Sequence, residues 1–279
     1  MAVRLGGPIF TSTVDPDEWA RAVQAWGYRA MSCPVGPEAS DDVVRAYERA
    51  AQQADILISE VGAWSNPLSP DETTRCAAME KCKQGLALAE RIGANCCVNI
   101  VGSCGAIWDG PHPNNLTQET FDRIVDTVRE IIDSVQPTRA FYTLEAMPWM
   151  YPTGPQDYLR LIHAIDRAQF GVHLDPVNMV FSPERYFGTT ALIQECFATL
   201  GPYIKNCHAK DILLRDTLTV HLDEVRPGLG NLDYVTYLRE LDRLDAPVGL
   251  LLEHLPNEEE YRLAAAHIRS VADSLGIAL

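Results

Sequence analysis

The chain reads as a single (β/α)8 TIM barrel occupying residues 1–279, and three observations lead there. Short apolar runs alternate with longer amphipathic segments from end to end, eight of each, and no linker or shift of composition divides them. Alternation of that kind and number suits a closed parallel sheet wrapped by helices. Several runs are continuously apolar, as strands buried on both faces must be. Four runs in the second half each end in a polar residue of ligating type: Glu145, Asp175, His208 and Glu253. Such groups at the carboxyl ends of successive parallel strands share one mouth, where β/α barrels keep their chemistry. A doubly wound open sheet is the alternative, but no glycine-rich phosphate fingerprint follows the first strand.

Taken in order, residues 3–10 form a first strand that runs into a turn at Gly6, Gly7 and Pro8. Asp15 caps the first helix, Pro16 suits its first turn, Asp17 and Glu18 complement its dipole, and Gly27 ends it. Residues 28–34 make strand two, 40–53 helix two and 55–61 strand three. After a loop over 62–69, a long helix runs from Ser69 to Gly93, and strand four covers 96–101. Residues 102–115 are rich in Gly, Pro and Asn and show no periodicity. Loops of that length in a compact domain tend to be lids or binding loops. Helix four opens at Leu116, strand five ends at Glu145, and helix five covers 156–165. Strand six ends at Asp175, where Pro176 stops it, and helix six lies near 189–200. Strand seven ends near Lys210, and residues 212–226 give no clear pattern. Gly228 and Gly230 lead into helix seven at 233–244, strand eight ends at Glu253, and helix eight covers 258–275.

Composition narrows the partners. With 38 acidic and 23 basic residues the net charge is −15, a field that repels nucleic acid and anionic membrane surfaces. No stretch reaches the ~20 apolar residues of a membrane span. The amino-terminal stretch has no charged region leading into an apolar core, so no signal peptide is expected. Eight cysteines without CxxC pairing read as reduced thiols in a cytoplasmic protein.

Three carboxylates and one imidazole suit a hard to borderline divalent cation: Mn²⁺ first, with Mg²⁺, Co²⁺ or Zn²⁺ as alternatives. A cation held by such a set acts as a Lewis acid on a sugar carbonyl and its neighbouring hydroxyl, easing loss of the adjacent carbon-bound proton. A carboxylate facing the substrate can take that proton. Two opposed glutamates would give epimerisation, and return of the proton to the neighbouring carbon would give aldose–ketose isomerisation.

The set Glu145, His173, Asp175, Asn178, His208-x-Lys210-Asp211, Pro227-Gly-x-Gly230, Asp233 and Glu253 resembles the sugar isomerase/epimerase family of xylose-isomerase-like barrels across essentially the whole chain. Keto-sugar 3-epimerases, inosose dehydratases, hydroxypyruvate isomerases and endonuclease IV share that family. The resemblance implies Glu145, Asp175, His208 and Glu253 as metal ligands, and Glu145 and Glu253 as the catalytic acid/base pair. The chain departs from the family where a histidine is common and Asn178 stands. It departs again where epimerases carry a second glutamate and Tyr151 stands, and where a Pro-Gly-Glu-Gly glutamate is replaced by Leu229. Seven scattered histidines and the acidic charge exclude the endonuclease reading.

Around this set, His173 and Lys210 share strand faces with Asp175 and His208, and Asn178 follows strand six, so all three are candidate substrate contacts. For His173 the alternative is filling the barrel interior, and for Lys210 an ion pair with Asp211. Trp64, Trp108 and His112 lie in loops on the mouth side, where rings stack on sugar faces. The resulting expectation is a metal-dependent isomerase or epimerase of a sugar or keto-sugar, with homo-oligomerisation left open. Its rivals are elimination at the same site, by an inosose-type dehydratase or a 3-keto-glycoside lyase, and a non-catalytic barrel that binds a sugar or a partner.

Overall fold

Ten strands occur among residues 3–279, which the computed structural model describes; Met1 and Ala2 lie outside the described residues. They are β1 (Val3–Gly6), β2 (Ala30–Ser32), β3 (Leu57–Gly62), β4 (Cys96–Asn99), β5 (Phe141–Glu145), β6 (Phe170–Leu174), β7 (Ile204–Ala209), β8 (Asp211–Leu214), β9 (Leu222–Val225) and β10 (Val248–Leu252). Eight of them close into a parallel barrel in the order β1-β10-β7-β6-β5-β4-β3-β2. Every residue of β4, β6 and β10 is buried, which is why these strands lack an alternating pattern.

The helices are α1 (Pro16–Ala25), α2 (Asp41–Gln53), α3 (Glu72–Ile92), α4 (Gln118–Val135), α5 (Pro155–Ile165), α6 (Pro183–Phe187), α7 (Thr189–Leu200), α8 (Tyr234–Asp242) and α9 (Glu258–Leu275). Local chemistry fixes their starts. The Asp15 carboxylate accepts the Glu18 amide at 2.9 Å, and Asp233 and Asn257 cap α8 and α9 in the same way. The long helix begins later than the sequence signal at Ser69, because Asp71 takes the capping role and accepts the Thr74 amide at 2.7 Å. Its end is as expected, with Gly93 in the left-handed region at φ 76°.

Two segments gain structure that periodicity did not reveal. Residues 212–226 lie almost wholly in the antiparallel hairpin β8-β9, outside the barrel, with Asp211 opposite Val225 and Leu214 opposite Leu222. The short helix α6 precedes α7, capped by the Ser182 hydroxyl. The long loop 102–115 is held compact by Asn115, whose side chain accepts the Cys104 amide at 2.9 Å and donates to the Gly110 carbonyl at 3.1 Å. No helix among the described residues is long and apolar enough to cross a membrane.

Buried tyrosines lock the carboxyl ends of the strands. Tyr158 of α5 donates to the Leu144 and His173 carbonyls at 2.8 and 3.0 Å. From α8, Tyr234 donates to the Lys210 carbonyl at 2.7 Å and Tyr237 to that of His208 at 3.2 Å. Asp211 collects the amides of Ile212, Gly228, Gly230 and Leu232 at 2.9–3.0 Å, tying the Pro227–Gly230 turn to the end of β7. A Cβ on Gly230 would overlap Asp211 and the Ile212 backbone, which explains the glycine.

Barrel closure between β1 and β2 rests on the pair Gly6 and Ala30. A Cβ on Gly6 would overlap the Ala30 carbonyl and crowd Leu251. Gly6→Ala is therefore expected to cost about 1–3 kcal/mol, seen as a lowered urea midpoint; an unchanged midpoint would contradict this closure.

Candidate metal centre

Four adjacent barrel strands, β5, β6, β7 and β10, supply the site. Glu145 is the last residue of β5, Asp175 follows β6, His208 lies near the end of β7 and Glu253 follows β10. Strand register does the aligning: Glu145 pairs with His173, and Leu251, two residues before Glu253, pairs with His208. One ligating atom from each of Glu145, Asp175, His208 and Glu253 lies within 4.8 Å of the others.

The backbone presents Asp175 one oxygen at a time. Its Oδ1 accepts the amides of Val177 and Asn178 at 2.9 and 3.3 Å, which leaves Oδ2 pointing into the cluster. Asn178 in turn donates to Glu145 Oε1 at 2.9 Å. The Lys210 ammonium reaches Glu253 Oε1 at 2.5 Å, Asp175 Oδ2 at 2.9 Å and Glu145 Oε1 at 3.6 Å. Its partners are thus the cluster acids, while Asp211 is consumed by backbone amides.

Charge compensation sets the protonation states. Burial would raise the Asp175 and Glu253 carboxyls, but Lys210 and His208 outweigh it and hold both below the usual carboxylate range. Burial would lower His208 and Lys210. Glu253 and Glu145 hold the imidazole well above its ordinary value, and Asp175, Glu145 and Glu253 do the same for the ammonium. Asp175 Oδ2 and Glu253 Oε1 are buried without an aligned hydrogen-bond donor, although the ammonium lies at ion-pair distance. Oxygens aimed at a common point without a satisfied donor, in a set of three carboxylates and an imidazole, fit a divalent cation.

Beneath this set lies a second buried group that the strand-end reading did not single out. Glu60 Oε2 accepts from Asn206 at 2.8 Å and lies 2.8 Å from His173 Nε2 and 3.5 Å from His208 Nε2. Its Oε1 accepts from Ser32 at 2.9 Å. Burial would raise Glu60, but the His173 and His208 hydrogen bonds outweigh it and hold the carboxyl well below its ordinary value. Glu60 lies on the Nε2 side of His208 at 3.5 Å, while Nδ1 faces Glu253 Oε1 at 2.9 Å and Glu145 Oε1 at 3.3 Å. The signal was present in the sequence, since Glu60 is an acid near the end of an apolar run, as Glu145, Asp175 and Glu253 are.

A cavity of about 820 Å³ opens above the cluster. Trp64, Trp108, Asn178, Lys210, Glu145 and Glu253 line it. His173 does not: it is wholly buried behind the cluster, bound to Glu60. His112 is also absent from the lining, because its ring caps the 3-10 turn Pro113–Leu116 and accepts the Asn114 amide at 3.2 Å. Tyr151 turns away to donate to the Leu116 carbonyl at 3.1 Å, so no acid stands there. Met147, Trp149, Phe181, Glu224 and His254 join the lining without having been singled out. Trp149 and Phe181 follow strands five and six, and the loop logic that selected Trp64 and Trp108 reaches them too.

A parallel (β/α)8 barrel with three carboxylates and an imidazole gathered at its strand ends defines a barrel with a candidate metal-binding centre. The chain belongs to the xylose isomerase-like TIM barrel family, whose model matches residues 20–271. No curated protein matches it in sequence. Among solved structures it is similar to D-psicose 3-epimerase from Clostridium cellulolyticum H10 with D-tagatose, at 14% identity, 100% of each chain and TM-score 0.70. It is similar to the probable 3-DHS dehydratase of petrobactin synthesis from Bacillus anthracis, at 16% identity, 98% of this chain, 99% of that one and TM-score 0.70. A xylose isomerase-like barrel from Mycobacterium smegmatis in complex with magnesium aligns at 16% identity over 99% of this chain and 96% of that one, TM-score 0.67. At these identities the likeness shows the fold.

Two expectations follow from the centre. Glu60→Gln weakens the hold on His208 and is expected to lower Mn²⁺ affinity about 10- to 100-fold; competition titration showing wild-type affinity would contradict that role. Metal binding must also displace the proton that the carboxylates keep on His208. Affinity should therefore fall as pH drops below that raised pKa, with about one proton released per ion. Calorimetry in two buffers of different ionisation enthalpy reads the release, and identical heats would contradict it.

Proposed function

We propose that the protein is a divalent-metal-dependent isomerase or epimerase of a sugar or keto-sugar, working by proton transfer at a carbon beside a carbonyl. The observation that carries the reading is the placement of Glu145 and Glu253. Both line the cavity, and both reach His208 Nδ1, at 3.3 and 2.9 Å. Two carboxylates on different strands that face one point can remove a proton and return it.

Mn²⁺ is the ion we assign to Glu145, Asp175, His208 and Glu253, with Mg²⁺, Co²⁺ and Zn²⁺ as the alternatives. When bound, it would supply Lewis acidity that stabilises negative charge on the substrate oxygen. The chain's own residues do the rest. Asn178 steadies Glu145 through its 2.9 Å hydrogen bond. Lys210, beside both glutamates, offers positive charge to a developing enolate oxygen. Trp64, its ring 6.4 Å from that of His208, offers an apolar face for the sugar C–H groups and excludes water. Return of the proton to the same carbon from the opposite side gives an epimer, and return to the neighbouring carbon gives an aldose–ketose pair. The D-psicose 3-epimerase neighbour supports this class of reaction.

A second reading, loss of a leaving group from the same carbanion, is favoured by the dehydratase neighbour and by the size of the cavity. The eight cysteines are all free thiols, in keeping with a cytoplasmic, reducing setting.

Keto-sugars incubated in D₂O with Mn²⁺ should gain deuterium at one carbon, and EDTA should stop it. Glu145→Gln and Glu253→Gln should each lower exchange by about 100-fold or more while the circular dichroism spectrum stays native. Full exchange in both variants would end the proposal. Bound metal with no exchange but a dehydrated product or released aglycone would select elimination, and neither metal nor exchange would leave a sugar- or partner-binding barrel.

A further inference from the structure

His254 is the one residue of the cavity lining with a left-handed backbone. Four non-glycine residues take positive φ among the described residues: Asp55, Gln136, Asp166 and His254. The first three each follow the end of a helix, α2, α4 or α5, where a left-handed residue closes the last turn. His254, at φ 57°, follows the strand β10 instead. A left-handed side-chain-bearing residue outside such a cap is held there by its surroundings, and residues of this kind gather at functional sites.

The turn has a visible result. Successive residues of an extended strand point to opposite faces, yet Glu253 and His254 both line the cavity. The imidazole rests with Nδ1 3.2 Å from Glu224 Oε2 and Nε2 3.6 Å from Glu253 Oε2. Glu224 reaches it from β9, where it pairs with Ile212 across the hairpin. That hairpin is fixed at its base by the four amides on Asp211. Two residues beyond Glu224, the Arg226 guanidinium donates to Glu260 of α9 at 2.8 Å. Glu224 Oε2 also lies 3.9 Å from the Lys210 ammonium, so the pair joins the charged floor to the open mouth.

Packing does not account for the pair. The imidazole is 59% and the Glu224 side chain 34% exposed, and an ion pair that open to water adds little stability. Two atoms remain for a ligand. Glu224 Oε1 has no partner among the described residues, and His254 Nε2 lies beyond hydrogen-bond distance of Glu253. A sugar hydroxyl suits both, since it donates to a carboxylate and can donate to an imidazole nitrogen or accept from it. A phosphate there would face Glu224 and Glu253, with Lys210 already engaged by Asp175 and Glu253, and would be repelled.

We propose that His254 and Glu224 determine specificity, binding hydroxyl groups of a neutral polyhydroxy keto-sugar at carbons beyond the reacting one. His254 contacts the substrate; Glu224 orients the imidazole and accepts from a second hydroxyl. The proposal rests on Glu145 and Glu253 marking the reacting end, and it names an unphosphorylated polyol as the substrate.

Calorimetry on the full chain loaded with Mn²⁺ tests it, using D-fructose, D-tagatose, D-psicose and L-sorbose. The 1-, 4-, 5- and 6-deoxy forms of the sugar that binds most tightly follow, with its 1- and 6-phosphates. Removing one of these hydroxyls is expected to cost the wild type about 10- to 100-fold in affinity and to cost His254→Gly almost nothing. Glycine suits φ 57°, so the urea midpoint of His254→Gly should equal or exceed the wild-type value, which separates a lost contact from a lost fold. Glu224→Gln should narrow the preference for the free sugar over its phosphates severalfold. The proposal is overturned by a hydroxyl loss that costs wild type and His254→Gly alike, by a lowered midpoint in His254→Gly, by no binding of any of these sugars, or by preference for a phosphate. Deuterium exchange into the same sugars separates this from the proposed function. Exchange without a His254-dependent hydroxyl removes the specificity role alone; that dependence without exchange supports the role and removes the isomerase reading.

Discussion

Glu60, Glu145, Asp175 and Glu253 stand close together at the carboxyl end of one barrel, three of them almost wholly buried, with His208 and Lys210 between them. Removing a charge from water costs on the order of several kcal/mol per ion, so acids packed this closely demand cations at short range. Lys210 and His208 meet part of that demand and are themselves held protonated by it. Loss of either cation would leave unpaired buried carboxylates, a larger penalty than the loss of one contact. A divalent ion offers the same oxygens more positive charge at one point. The buried cluster is thus bridged by Lys210 and a protonated His208, and it offers a divalent ion the same oxygens.

The barrel makes that concentration of charge tolerable by taking away its freedom to relax. Tyr158, Tyr234 and Tyr237 hold the carbonyls of the ligand-bearing strand ends from the helix layer. Asp211 gathers four amides so that Lys210, its neighbour, leaves the strand in one direction. Glu60 orients two imidazoles with a single oxygen. Each of these groups spends its polar atoms on the scaffold and leaves the ligand atoms facing one another. This is the preorganisation that the proposed proton transfer beside a carbonyl would need.

Much of this could be read from the sequence because parallel strands have a readable polarity. A continuous apolar run with one ionisable residue at its end marks both a buried strand and a mouth-facing side chain, as at Glu145, Asp175, His208 and Glu253. Asp15 and Gly93 announced helix boundaries through capping chemistry that depends only on near neighbours. What escaped was set by contacts that a run of apolar residues does not encode. The partners of Lys210 are the cluster acids and not the adjacent Asp211, which only the folded turn at Gly228 and Gly230 reveals. The hairpin β8-β9 pairs across a loop with no alternating pattern to give it away. His173 on its strand and His112 in its loop both qualify as substrate contacts in sequence terms, yet one is bound to the Glu60 carboxylate from across the barrel and the other caps its own loop.

The account depends on one location for the cation. Anomalous diffraction from crystals of the Mn²⁺-loaded protein would show it directly. The account expects one strong peak among Glu145, Asp175, His208 Nδ1 and Glu253, with Glu60 still on His208 Nε2. A peak elsewhere, or none with Lys210 still seated on Asp175 and Glu253, would contradict it.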